Sequence, residues 1–333
     1  MPKTPFELAG VEIIKGTTVT LHIDLPKLYN TPMQLPLHII RGKKIGPIVF
    51  ISAAIHGDEL NGIEIIRRLK KLEILKRIRG TLILVPIVNI YGISTLSRYL
   101  PDRRDLNRSF PGSATGSLAS RVAKIFFDEV VSKCDFGIDL HTASIHKSNL
   151  PQVRTNIDDA YIFGLAKAFD APVVLHSELR DGSLRAVAQD RGVPILLYEA
   201  GEALRFDENS IRRGVNGIIN VLRESEMLPK SQRKKEAKSI ITRESKWIRS
   251  GEGGILRTIK ALGDIVKESE VIAYTDEPLG DKSSAIRAPF DGVIIGKSEI
   301  PLVQEGDAVF HIAKLKDMSI GEDKMEYFNE DII

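Results

Sequence analysis

Residues 47–59 read PIVFISAAIHGDE: nine mostly apolar residues without a charge run straight into His56-Gly57-Asp58-Glu59. An uncharged, β-branched run of that length is the mark of a strand buried on both faces, and such strands occur where helices cover a sheet. Working outward, residues 60–76 place Ile63, Ile66, Leu69 and Leu72 at helical spacing, and residues 81–89 form a second β-rich apolar run. Residues 118–133 set Leu118, Val122, Ile125 and Phe126 on one helical face. Strand-like 136–141, helix-like 158–169, strand-like 172–175 and 194–199, and helix-like 209–222 continue the alternation. This rhythm predicts an α/β fold with a mainly parallel or mixed sheet covered by helices. Toward the N-terminus, residues 10–51 come as short apolar runs broken by Pro and Gly, the texture of consecutive strands.

The chain has 333 residues, 43% hydrophobic and 27% charged, with a net charge of +3. These proportions suit a soluble globular protein and give no general electrostatic drive toward nucleic acid or membrane. A single cysteine, Cys134, excludes an intrachain disulfide and a thiolate metal cluster. The longest apolar runs are too short to span a bilayer, and the opening MPKTPFELAG lacks the apolar stretch of an export signal. The expected location is the cytoplasm, and a homo-oligomer is compatible with this composition.

Residues 229–249, PKSQRKKEAKSIITRESKWIR, interrupt the β/α rhythm with charge. They divide the chain into an α/β unit over 1–230, a charged linker over 231–248, an all-β unit over 249–315 and an acidic tail over 316–333. The basic run holds one aromatic, Trp247, so it reads as a solvated segment and not as a nucleic-acid surface. Within the all-β unit the phrases Gly263-Asp264-Ile265-Val266 and Gly306-Asp307-Ala308-Val309 repeat a turn followed by a strand, which points to a duplicated small β-sandwich.

The chemistry gathers at strand ends. His56 and Glu59 follow the run 47–55, His141 closes FGIDLH and Glu199 closes PILLYE, each at the carboxyl end of a predicted strand, where open α/β sheets bind ligands. Two imidazoles and a carboxylate are the ligand set of a catalytic zinc, with a separate carboxylate free to act as base. His146 lies in the same loop as His141 and competes with it, while His22, His38, His176 and His311 have no such setting. Between the histidines, residues 98–108 (RYLPDRRDLNR) concentrate groups that bind carboxylates.

In this order and rough spacing, HGDE, DLNRSFPG, DLH and YEAG resemble the succinylglutamate desuccinylase/aspartoacylase family, relatives of zinc carboxypeptidases. The resemblance, carried also by the GD-V repeats and APFDGVI, covers about residues 10–313. It implies a zinc exopeptidase-like fold and a deacylase of small N-acyl amino acids or the corresponding esters. It implies one zinc per chain on His56, Glu59 and His141, with Glu199 as the base that deprotonates water. Arg98 would stabilise the oxyanion, Asn107, Arg108 and Arg185 would bind the carboxylated substrate, and Asp105 would orient a zinc-binding histidine.

Two other readings start from the same residues. A metallocarboxypeptidase shares the zinc site but needs an open groove for a peptide. A carrier or binding protein is suggested by the C-terminal halves, which resemble biotinyl/lipoyl domains, with Lys282 where a modified lysine would stand. Gly292-Val-Ile-Ile-Gly296-Lys297-Ser298 falls one residue short of a phosphate loop and reads as a strand, and no GxSxG elbow supports a serine hydrolase.

Overall fold

The computed structural model describes residues 5–230 and 239–330. The chain opens on β1 (Glu7–Leu8), β2 (Val11–Glu12), β3 (Thr18–Leu28) and β4 (Thr31–Arg41). Next comes a β/α series: β5 (Lys44–Ala53), α1 (Asn61–Lys70), β6 (Arg79–Val85), α2 (Ile90–Ser94), α3 (Leu118–Glu129) and β7 (Phe136–His141). It continues through β8 (Lys147–Thr155), α4 (Ala160–Phe169), β9 (Val173–His176), α5 (Leu184–Asp190), β10 (Ile195–Gly201) and α6 (Glu208–Glu224). The rest is β11 (Ile240–Thr242), β12 (Ser245–Arg249), β13 (Gly254–Thr258), β14 (Ile265–Val266), β15 (Val271–Asp276), β16 (Ser283–Arg287), β17 (Gly292–Ser298), β18 (Leu302–Val303), β19 (Ala308–Lys314) and α7 (Met318–Glu330).

One 13-stranded sheet runs in the order β12-β19-β17-β8-β10-β7-β5-β6-β4-β3, with β9 on β8, β11 on β9 and β14 on β17. It is mixed: β6, β5, β7 and β10 are parallel neighbours, whereas β8 enters antiparallel to β10, and the pairs β8·β17 and β17·β19 beyond it are antiparallel too. Strand alternation sorts the core onto the two faces. Val49, Ile51 and Ala53 of β5 pack with Ile65, Ile66 and Leu69 of α1, while Phe50 faces Phe126 of α3 on the other side. A second sheet of four strands, β16-β15-β13-β18, covers a separate apolar cluster around Leu256, Ile272 and Phe310.

Four sequence expectations change here. Residues 147–155 form β8, which Pro151 and the polar alternation of KSNLPQVRT had hidden; the strand accommodates the proline beside an irregularity in its pairing with β10. α5 is likewise a helix where none was expected. Of the expected linker, residues 231–238 lie outside the described residues, and the remainder contributes β11 and β12, with Ile240 buried against Val173 and Leu175. The expected tail contains α7, because Met325 and Phe328 are buried, Met325 in a cluster with Leu315. The repeat is visible in the turns: Gly263 and Gly306 have φ of +86° and +85°, and Asp264 and Asp307 each accept a hydrogen bond from the backbone N–H three residues earlier. Lys297-Ser298 ends β17, a strand as expected.

Candidate metal centre and cleft

The turn after β5 is shaped by two close approaches. A Cβ on Gly57 would fall 2.0 Å from the backbone of Gly92, and one on Gly62 would fall 2.7 Å from Ala53 and 2.8 Å from Leu140. Glycine at these places lets the turn and the first turn of α1 sit directly on the strand ends, which carries His56 and Glu59 toward His141 at the end of β7. All three are buried, and one donor atom from each can be chosen within 4.8 Å of the others.

The donors face each other. His56 Nδ1 lies 2.7 Å from Glu59 Oε1 and His141 Nδ1 lies 2.8 Å from Glu59 Oε2. The far nitrogens are also held: His56 Nε2 is 3.1 Å from Asp105 Oδ1 and His141 Nε2 is 2.8 Å from Asp139 Oδ2. A carboxylate on the outer nitrogen fixes a histidine's tautomer and ring direction, the arrangement found around metal-bound imidazoles. Ser52 Oγ donates to the other oxygen of Asp139 at 2.7 Å, so that carboxylate is itself held. Burial opposes the charged form of both histidines, but the surrounding carboxylates outweigh it and raise their pKa values. Burial likewise opposes the charge of Glu59, yet the two imidazoles hold it well below the usual carboxylate range. With the imidazoles neutral, as metal ligands must be, three carboxylates face one guanidinium and leave an excess of negative charge, and the inward donors are hard or borderline. The residues present fit a divalent zinc-like ion.

Arg98 reaches the same point from the segment before β7. Its Nε and Nη2 donate to Asp105 Oδ2 at 3.2 and 2.9 Å, and its Nη1 lies 3.4 Å from Glu59 Oε1. Asp105 therefore bridges His56 and Arg98, and these partners keep it ionised against the cost of burial.

Glu199 arrives by register. In the parallel pair β10·β7 it is opposite His141, and in the antiparallel pair β10·β8 it is opposite Gln152. Asn149 Nδ2 donates to Glu199 Oε2 at 2.7 Å. Asn107 Oδ1 accepts from the Leu184 N–H at 2.9 Å, tying its loop to α5, and exposed Arg108 donates to the Asn107 carbonyl at 2.5 Å. Arg185 donates through Nη2 to Ser177 Oγ and the Glu178 carbonyl at 3.0 and 2.9 Å. Burial, with Arg154 adding to it and Glu199 opposing, pulls its pKa down to about 10.

The structure thus brings His56, Glu59, His141, Arg98, Asn107, Arg108, Arg185 and Glu199 onto one cleft of about 390 Å³, with Asp105 behind His56. His146 is exposed and does not line it. A wider depression of about 750 Å³, lined by Lys43, Lys76 and Arg79 among others, opens at the amino ends of β5 and β6 and holds none of these groups. Sequence reasoning missed Asp139, Asn149, Arg154 and the wall residues Trp247 and Arg249. Only Asp139 had a visible signal: it lies two residues before His141, hence on the same face of the strand.

A family model described as the succinylglutamate desuccinylase/aspartoacylase catalytic domain matches residues 45–225. The chain belongs to this family. Among its relatives, the N-alpha-acetyl-L-2,4-diaminobutyric acid deacetylase of Halomonas elongata is 28% identical over 296 residues, which are 85% of this chain and 86% of that protein. A succinylglutamate desuccinylase of Burkholderia orbicola is 29% identical over 186 residues, about half of each chain at 50% and 53%. The product-bound structure of the ectoine utilization protein EutE (DoeB) from Ruegeria pomeroyi superposes with a TM-score of 0.80 at 24% identity, covering 89% of this chain and 95% of that one. A likeness at that identity is one of fold, and it extends across the C-terminal strands as well as the family's catalytic segment. No helix among the described residues is long and apolar enough to cross a membrane.

Proposed function

We propose that this chain is a zinc-dependent deacylase that hydrolyses the amide, or the corresponding ester, of a small carboxylated N-acyl amino acid. The observation that carries the reading is the buried His56–Glu59–His141 set with Glu199 in register beside His141 on the same cleft. The deacetylase and desuccinylase activities named for the relatives support the reaction class.

Zinc held by His56, Glu59 and His141, one ion per chain, would supply Lewis acidity and lower the pKa of water toward neutrality. Glu199 has one oxygen engaged by Asn149, which orients the carboxylate and leaves Oε1 to take a proton from the attacking water and return it to the leaving nitrogen. Arg98, anchored through Asp105, directs Nη1 toward the ligand set, where it can stabilise the negative charge developing on the acyl oxygen. Asn107 and Arg108 at the rim bind the substrate carboxylate, for which a guanidinium fork is suited. Asp105 and Asp139 hold the two imidazoles in place.

The wall formed by Trp247 and Arg249 favours small substrates over the peptides of a metallocarboxypeptidase. In this reading residues 249–315 act as a lid-like unit on a hydrolase unit of residues 1–230. Lys282 is exposed in the β15–β16 turn, 3.5 Å from Glu277, and is expected to carry no biotinyl or lipoyl group; intact mass checks this directly. The function is tested with the zinc-loaded protein on a panel of N-acyl amino acids and peptides with free C-termini. Hydrolysis of the former is expected, and cleavage of the peptides alone would overturn the proposal.

A further inference from the structure

The depression of about 750 Å³ lies at the opposite end of the sheet from the cleft. Strand β5, roughly 30 Å long, starts there with Lys44 and leads to His56 and Glu59 at its other end. Seven Lys or Arg residues line the depression against one carboxylate, Glu226, an excess of six positive charges in a chain whose net charge is only +3. The rest of the chain is therefore net negative, and the basic groups are concentrated at this place.

The fold holds these cations together. They come from three segments, 41–44, 76–79 and 226–230, which are tied backbone to backbone. The Gly42 N–H donates to the Gly80 carbonyl at 2.8 Å and the Arg79 N–H to the Met227 carbonyl at 2.8 Å. A Cβ on Gly42 would fall 2.0 Å from the Ile78 carbonyl oxygen, so glycine permits the close approach. In the parallel pair β5·β6, Lys44 stands directly opposite Arg79, and like charges in such a pair weaken a sheet. Few counter-charges relieve this. Lys76 is paired with Glu73 at 2.7 Å, while Arg41 donates to the Ile13 carbonyl and lies 5.5 Å over the Phe6 ring. Among the described residues, Lys43, Lys44, Arg77, Arg79 and Lys230 make no ion pair. A concave surface of one sign focuses the field and draws in counter-ions.

We propose that this depression binds a compact polyphosphate, either a free linear triphosphate or the triphosphate tail of a nucleotide. Five unpaired cations against Glu226 leave four charges to balance. A single phosphate group brings at most about two, and a linear triphosphate about four. The volume suits a small ligand. No aromatic side chain lines the depression, so the bases of a single-stranded nucleic acid have nothing to stack on. Its apolar lining residues Ile40, Ile78, Met227 and Leu228 are buried, so no apolar anchor projects toward a bilayer. The site shares no residue with the cleft, and the proposal does not rest on the deacylase reading.

The test is calorimetric titration of the full chain with sodium triphosphate, ATP, orthophosphate and citrate at about 0.15 M salt, where screening removes loose attraction. One triphosphate should bind per chain, about tenfold or more tighter than orthophosphate or citrate. The double variant Arg77→Gln/Arg79→Gln should weaken it by about tenfold or more. Lys267→Gln/Lys282→Gln, which removes the same charge from exposed positions in the C-terminal unit, should leave it within about twofold. The ATP arm separates the two sources: ATP binding as tightly as triphosphate or tighter assigns the site to a nucleotide tail, and ATP binding more weakly assigns it to free polyphosphate. No binding of triphosphate, citrate binding equally well, or equal losses in the two double variants would overturn the proposal. So would heat that is independent of Arg77 and Arg79, which is what extraction of a metal from the cleft by triphosphate gives. A single-stranded RNA of about 12 nucleotides, or phosphatidylserine vesicles, held more tightly than triphosphate through the same arginines would also overturn it, in favour of a macromolecular partner. Should Arg77→Gln/Arg79→Gln fail to fold, Lys43→Gln/Lys44→Gln takes its place under the same criterion.

Discussion

The two ends of the cleft are opposites. At the metal end the ligand set is tightly partnered: each imidazole has a carboxylate on both nitrogens, and Asp105, Asp139 and Glu59 each have at least two donors. At the Arg154 end, guanidinium nitrogens are buried without partners, and burial together with the charge of Arg154 lowers the pKa of His311. The contrast shows two ways in which a protein prepares a site. At one end the groups hold one another in an arrangement that fits an ion, and at the other like charges stand together with few partners.

The largest effect should come from breaking the satisfied end. His141→Ala removes a ligand and leaves Asp139 buried without its imidazole. Elemental analysis should find zinc lost, and hydrolysis should fall by about three orders of magnitude or more. Glu199→Gln sharpens the comparison from inside the same row: zinc content should stay at the wild-type level while kcat falls by roughly 10²- to 10⁴-fold. Zinc lost from this variant would instead make Glu199 part of the metal site.

Those two residues belong to the portion that could be read from the sequence. The run 47–55, the helical spacing after it and the histidine ending FGIDLH are local patterns, each set by burial along one element. The unsatisfied end has no such local signature. Arg154 lies on β8, whose Pro151 and polar residues disguise a strand that exists because β10 pairs with it on one side and β17 and β9 on the other. Trp247 comes from a stretch that reads as linker and Arg249 from the first residue after it, and they reach the cleft only because β12 pairs with β19, some sixty residues later. Partners that far apart in sequence leave no trace in spacing.

A smaller effect probes the outer carboxylates. Asp139→Asn keeps the shape but weakens the hold on His141 Nε2, and zinc affinity measured by competition with a chelator should drop about 10- to 100-fold. An unchanged affinity would reduce Asp139 to a core hydrogen-bond partner of Ser52.

The smallest expected effect tests the other end through pH. Burial, followed by the charge of Arg154, lowers the His311 pKa from its usual 6.5 to about 3. The unfolded chain therefore binds a proton that the folded protein refuses between these values. His311 costs no stability above about pH 6.5, and stability is lost as pH falls toward 3, by up to a few kcal/mol. Melting temperatures from pH 7 to 4 should decline less steeply in His311→Asn than in wild type. Parallel curves would mean that His311 is protonated in the fold and could balance Arg154 after all.

The central claim is that the His56–Glu59–His141 corner and this cleft together make a metal-dependent deacylase. The most direct measurement is release of free amino acid from an N-acyl amino acid panel by chelator-stripped protein, before and after one equivalent of zinc. No release before and hydrolysis restored by a single equivalent is the predicted result; release that stripping leaves untouched, or none across the panel with one zinc bound per chain, would contradict it.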